Sequence, residues 1–232
     1  MVSFILGFVI NCNNYVYYIF FCIEFYILVY TLCLKRKGAF VMKKIRKVTV
    51  HGGHNPSGKI ACGASDLLDE SAENRYIAKR VIKLLKKNGV KAVNCTVNNG
   101  KSQSDVLRRI CAKCNAVKDA GLHISIHFNS GINDQKGDGK TGGTEVWLTK
   151  NTSDKGDTAR RICHNMSKLG FTKRGVKTTN SLYFLNHTKA PAILVETCFV
   201  DDKDDYILYK KKRDLVAMAI ASAVINHNKN FN

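Results

Sequence analysis

The chain has 232 residues, with 37 Lys and Arg against 18 Asp and Glu, and a formal net charge of +19. This length suits one well-buried domain and excludes two generous ones. The positive surplus attracts polyanions, but the basic residues are scattered without an aromatic-and-basic recognition motif, so no specific nucleic-acid partner is expected.

Residues 1–41 carry only Glu24, Lys35, Arg36 and Lys37, net +2, which leaves +17 on the remaining 191 residues. Residues 15–34 form an apolar run long enough to cross a bilayer, interrupted only by Glu24. Lys35-Arg36-Lys37 follows at once. A secretory signal has the opposite order, with charge before the apolar core and a small-residue cleavage site after it. If the run inserts, it is a membrane anchor that leaves the rest of the chain on the cytoplasmic side. The preferred reading takes Met42-Lys43-Lys44 as the natural start, 1–41 as upstream sequence and 42–232 as the catalytic domain.

Of the nine cysteines, Cys12, Cys22 and Cys33 lie in the apolar run, and the other six lack a disulfide-framework spacing. Cys111-Ala-Lys-Cys114 falls within a helical pattern and has no second pair to complete a zinc cage. Reduced thiols in a reducing compartment are expected.

From residue 45 the pattern alternates. Residues 45–50 read as a strand that breaks at Gly52-Gly53 and delivers His54. A loop to about Asp69 precedes a helix that runs to Asn88 and stops at Gly89. A second strand at 91–97, a helix at 105–120 and a third strand at 122–127 follow. The glycine-rich stretch 131–143 leads to a strand at 144–148, then a helix at 154–169. Short strands around 182–185 and 192–195 precede a last helix from about 211 to 226. The alternation predicts a single α/β domain with a mostly parallel twisted sheet of about six strands and helices on both faces.

Ligands in such sheets gather beyond the carboxyl ends of the strands. His54 follows the first strand, His127 closes the third, and Glu196 closes the run Ala192-Ile193-Leu194-Val195. Helical geometry selects a fourth residue. Ile77, Val81, Leu84 and Leu85 define an apolar face, with Glu70 within about 30° of its centre and Glu73 roughly 80–90° away. Glu70 therefore points at the sheet, and Asn74 on the same face can steady its carboxylate. Two imidazoles and a carboxylate around an open position suit a catalytic Zn2+ ion. A second carboxylate free of the metal is then needed to move a proton, and Glu196 fits that role.

The remaining polar residues are weaker candidates. His51 is the nearest rival to His54, although it precedes the glycines and belongs to the strand end. His123 reads as a core or edge histidine, and His164 and His227 as surface residues. Asn129, two positions past a ligand, and His187, in a loop able to line the cleft, are candidate substrate contacts. Trp147 and Tyr183 read as core residues rather than substrate platforms.

In order and spacing, Gly53-His54-Asn55-Pro56, Glu70 with Asn74, Ser125-Ile126-His127-Phe128-Asn129 and Pro191-Ala192-Ile193-Leu194-Val195-Glu196 resemble the zinc-dependent N-acetylmuramoyl-L-alanine amidases of the type-3 amidase family. The resemblance covers about 44–226. It implies that His54, Glu70 and His127 hold zinc, that Glu196 is catalytic, and that the substrate is peptidoglycan, cut between N-acetylmuramic acid and L-alanine. The segment 182–191 is similar to clostridial phage endolysins, which implies a lysin kept in the cytoplasm until its release to the cell wall. Two features depart from the family pattern. Many such endolysins continue into a wall-binding module, and the common Asp-Pro-Gly-His motif is here His51-Gly52-Gly53-His54. The charge of the domain can itself hold it on anionic wall polymers. Competing expectations are a zinc carboxypeptidase acting on stem peptides and a non-catalytic basic wall-binding module.

Overall fold

The computed structural model describes residues 44–149 and 156–229. The N-terminal apolar run and the expected helix start at Asp154 lie outside the described residues. Within them, no helix is long and apolar enough to cross a membrane.

Six strands form one sheet: β1 (Lys47–Gly52), β2 (Lys91–Asn94), β3 (Leu122–Asn129), β4 (Thr144–Leu148), β5 (Lys173–Thr178) and β6 (Ala192–Phe199), in the order β2-β1-β3-β6-β4-β5. Every pairing is parallel except that of β4 with β6. The expected α/β architecture is present. Both interior strands are largely buried: β6 opens on the apolar run Ala192-Ile193-Leu194-Val195, as an interior strand should, whereas β3 alternates Leu, Ile, Ile and Phe with His, Ser, His and Asn.

Helices α1 (Glu70–Lys87), α3 (Gly156–Ser167) and α5 (Lys203–Lys229) share the larger core, while α2 (Gln103–Asn115) and the short α4 (Tyr183–His187) pack in a second cluster with Ala192 and Leu194. Alternation along β6 puts these two residues on the opposite face from Ile193 and Val195, so helices cover both faces.

Local chemistry sets the helix ends. Asp69 caps α1 by accepting a bond from the Ala72 N–H at 2.9 Å, with Glu70 and Glu73 in the first, dipole-positive turn. Gly89, at φ +76°, lets the chain turn after Asn88. Ser102 caps α2 through the Asp105 N–H.

Three expectations fail on particular residues. The run 182–185 is not a strand, because Tyr183–His187 forms a helical turn that buries Phe184 and Leu185 against α2. Short apolar runs fit either structure, and here packing decides. The last helical element starts at Lys203, ahead of the expected 211, and a kink at Lys212 separates this added first segment from the helix expected there. Asp202 accepts the Asp205 N–H at 2.8 Å at its start, and the only non-helical backbone within it is at Lys212. Strand β5 was absent from the predicted pattern because Lys-Arg-Gly-Val-Lys-Thr lacks an apolar alternation. It is a charged edge strand with Gly175 at φ +88°.

Ile124 lies at the centre of the sheet, fully buried, registered with Val50 on one side and Ile193 on the other. Ile124→Ala is expected to destabilise the domain by about 2–5 kcal/mol, with equilibrium urea unfolding as the check. A smaller loss would mean that neighbouring strands collapse into the space.

Candidate active site

The turn after β1 places the first histidine. The Gly53 N–H donates to the Ile126 carbonyl at 3.0 Å, which ties the turn to β3. His54 itself sits at φ +61°, a conformation uncommon for a residue with a Cβ and one that surrounding contacts must enforce. Those contacts converge from below. Arg75 donates to the carbonyls of Gly53, His54, Ser71 and Val97, and Asn74 Nδ2 donates to the Gly53 carbonyl at 3.0 Å. Asn74 therefore braces the turn and not the Glu70 carboxylate, contrary to expectation. Asn55, fully buried, fastens the loop beyond through both the N–H and the carbonyl of Gly100.

Glu70 reaches this turn from the start of α1. Its Oε1 lies 2.9 Å from His127 Nδ1 and 3.4 Å from His54 Nε2, and accepts the Phe128 N–H at 3.2 Å. Its Oε2 accepts the Ala64 N–H at 3.0 Å. Burial raises the proton affinity of Glu70, but the bonds and charges of His127 and His54 outweigh it and hold the carboxyl well below the ordinary range. Glu73, as the helical geometry predicts, turns elsewhere: it accepts a 2.7 Å bond from the Tyr209 hydroxyl and pairs with Arg213 on α5.

His54, Glu70 and His127 each offer a ligand atom, and these atoms lie within 4.8 Å of one another. His54 Nδ1 is buried without a hydrogen-bond partner, and two nitrogens with a carboxylate oxygen suit a borderline-soft divalent ion. A side chain at Gly53 would overlap the His127 ring, and one at Gly63 would overlap Glu70, so glycines make room for two of the three ligands. Asp134, Asp138 and Asp204 also converge, yet each already accepts a loop N–H, from Gly137, Lys140 and Gly139 respectively.

Glu196 is registered with His127 on β3 and with Glu145 on β4, so the three side chains share a face. Its Oε2 is buried and has no hydrogen-bond partner. Burial, then the negative charges of Glu70 and Glu145, push its carboxyl well above the ordinary range. Such a group keeps a proton readily.

The other histidines have their own surroundings. His51 is buried, edge-on to Phe184 and 4.0 Å from Cys114 Sγ, and burial pushes its proton affinity well down, helped by nearby positive groups of which His127 ranks first. It takes no part in the ligand cluster. His123 is buried, with Nδ1 2.7 Å from the Thr49 hydroxyl. His227, expected at the surface, is buried with Nδ1 3.6 Å from Asp157, because α5 carries its last turns across α3. His164 is exposed. Cys111 and Cys114 are free thiols buried with Cys95.

Asn129 donates to Glu145 Oε1 at 3.2 Å and is registered with Phe199 on β6. His187 is exposed, stacked on Tyr183 with ring centroids 3.7 Å apart, and belongs to α4 rather than to the ligand cluster. Sequence reasoning missed Arg75 and Glu145. The signal for Glu145 was available: an acid in the apolar strand Thr144-Glu145-Val146 is as costly to bury as Glu196.

Fold and site together define a single α/β domain with a ligand cluster able to hold a metal ion at the carboxyl end of its parallel strands. The chain belongs to the N-acetylmuramoyl-L-alanine amidase family, whose model matches residues 48–226. It is 34% identical over 182 residues to an uncharacterised protein of Clostridium perfringens (77% of this chain, 51% of that protein), and 29% identical over 172 residues to the endolysin of Bacillus phage SPP1 (71% and 58%). Among solved structures, the catalytic domain of CD27L endolysin targeting Clostridia Difficile superposes with a TM-score of 0.67 at 26% identity, covering 80% of this chain and 97% of that one. The chain spans about half the length of the Clostridium perfringens relatives it matches.

Proposed function

We propose that this domain hydrolyses the amide joining the lactyl group of N-acetylmuramic acid to the L-alanine of the peptidoglycan stem peptide. The observation that carries this reading is the convergence of His54, Glu70 and His127 one strand away from the unpartnered Glu196. The first three would hold zinc, which supplies carbonyl polarisation and lowers the pKa of water towards about 7. Arg75 and Asn74 hold the His54 turn in its strained conformation, and Glu70 orients the His127 ring.

Glu196 then moves the proton. Its free oxygen accepts one from the attacking water and delivers it to the alanine nitrogen, without which the amine is a poor leaving group. A divalent ion nearby would stabilise the ionised carboxylate and draw its proton affinity back towards the working range. Residues 42–232 are the proposed catalytic unit, acting on the wall after release from the cytoplasm.

The test is product analysis of purified walls. Amide cleavage is expected to liberate new L-alanine amino termini, leave glycan strands with unaltered reducing ends, and stop in excess chelator. Release of free C-terminal amino acids without new alanine amino termini would identify a carboxypeptidase and end the amidase reading. Absence of any cleavage would leave a basic wall-binding module.

A further inference from the structure

We infer that Lys177 and Arg174, anchored next to Glu196 by the buried Glu145, form a subsite for a carboxylate of the stem peptide, and that the peptide runs from Glu196 out across β4 and β5. This rests on the amidase reading above.

The anchor is a carboxylate in an expensive position. The Glu145 side chain is 4% exposed and lies directly opposite Glu196 in the antiparallel β4–β6 register. It accepts bonds from Arg174 Nε at 2.7 Å, Lys177 Nζ at 2.6 Å, Trp147 Nε1 at 3.0 Å and Asn129 Nδ2 at 3.2 Å. Burial raises its proton affinity, but Lys177 and Arg174 outweigh that and keep it ionised.

Within this trio two cations share one anion, so Glu145 does not use up their charge. Both cationic side chains remain 35% exposed, so a second anion can reach them. Lys177 is fixed further by its position 5.4 Å over the Trp147 ring. Gly175, registered with Glu145, adds no side chain to the patch, and a Cβ there would meet nothing. The result is a pair of preorganised donors in open space, the arrangement that makes charge-assisted hydrogen bonds count.

Strand order gives the direction. The ligand cluster draws on the ends of β1 and β3, Glu196 lies on β6, and β4 and β5 lie beyond it. An amide with its carbonyl at the cluster and its nitrogen at Glu196 therefore has its peptide half heading over β4, and its uncharged glycan half heading the other way. Neighbouring strands lie about 4.8 Å apart and an extended residue spans about 3.5 Å. The residue after alanine is the first whose carboxylate falls within reach of donors gathered at Glu145.

The experiment compares two soluble muramoyl-peptides that differ only at the residue after alanine, one with a free carboxylate and one with the carboxamide. The wild-type enzyme is expected to show the lower KM for the carboxylate. K177Q and R174Q are each expected to raise that KM about tenfold, the size of one lost charge-assisted bond, while changing the carboxamide KM by less than about twofold. K177R is expected to restore most of the preference. Equal KM values for both substrates in the wild type, or variants that shift both substrates alike, would reduce the pair to neutralisers of Glu145 and overturn the subsite. Loss of the preference in K59Q instead, on the opposite flank beside Thr96 and Asn98, would reverse the peptide direction. If the wild type cleaves neither substrate, the amidase reading itself falls, an outcome distinct from cleavage of both without preference.

Discussion

Glu196→Gln is expected to lower amide hydrolysis by roughly three orders of magnitude while zinc content per chain stays at the wild-type level. Glutamine keeps the shape and removes the capacity to take up and hand on a proton, and positioned acid–base groups typically contribute about 10²–10⁴-fold. Metal content should survive because the converging ligand atoms belong to His54, Glu70 and His127. The same change should raise the thermal midpoint of metal-free protein. Glu196 is pushed to a higher proton affinity by burial and by Glu70 and Glu145, so at pH values above the ordinary glutamate range its ionisation destabilises the fold. Its contribution is most favourable at low pH and is lost as pH rises, and the neutral amide removes that loss. A group that costs stability and lies one strand from the ligand cluster has the pattern of a functional site. Parallel measurement of rate, zinc content and midpoint checks all three. A rate within tenfold of wild type would remove Glu196 from the mechanism.

Much of this site was legible in the sequence because its residues interrupt strong patterns. An apolar β-branched strand that breaks into Gly52-Gly53 must turn, and acids at the ends of apolar strands must have a reason. The 3.6-residue period separated Glu70 from Glu73, and the structure gives each the surroundings that the phase demands. What escaped was set by tertiary contact. Strand β5 has no periodicity of its own and exists because β4 offers it an edge. The 182–185 run becomes a helical turn because α2 buries Phe184 and Leu185. Arg75 carries no signal in the sequence, since its carbonyl partners at Gly53, His54 and Val97 come from two distant loops. His227 was misplaced for the same reason: a tail position says nothing about the helix lying across it.

His127→Ala is expected to abolish stoichiometric zinc binding and reduce activity to background, and Gly53→Ala is expected to approach that result without altering a ligand. The first removes one of three donors. The second acts through shape, because a methyl group at Gly53 would occupy the space of the His127 imidazole. Gly53 is not among the glycines with positive φ, so its backbone suits alanine and the contact alone is responsible. The turn cannot retreat easily, since Asn74 and Arg75 hold the Gly53 carbonyl and the Ile126 carbonyl holds its N–H. The ring must therefore move, and misorienting a ligand costs roughly 10–100-fold in affinity where outer contacts of metal sites are disturbed. Thermal unfolding with added zinc separates this from simple misfolding. Wild-type protein at a hundredfold excess over its dissociation constant gains about 2.7 kcal/mol of stability. The alanine variant at 127 should show almost no zinc-dependent rise in midpoint, and the variant at 53 should need a far higher zinc concentration for the same rise. Should His127→Ala keep one tightly held zinc per chain with an undiminished rise, the ion is held elsewhere, and the three-residue cluster is not the metal site.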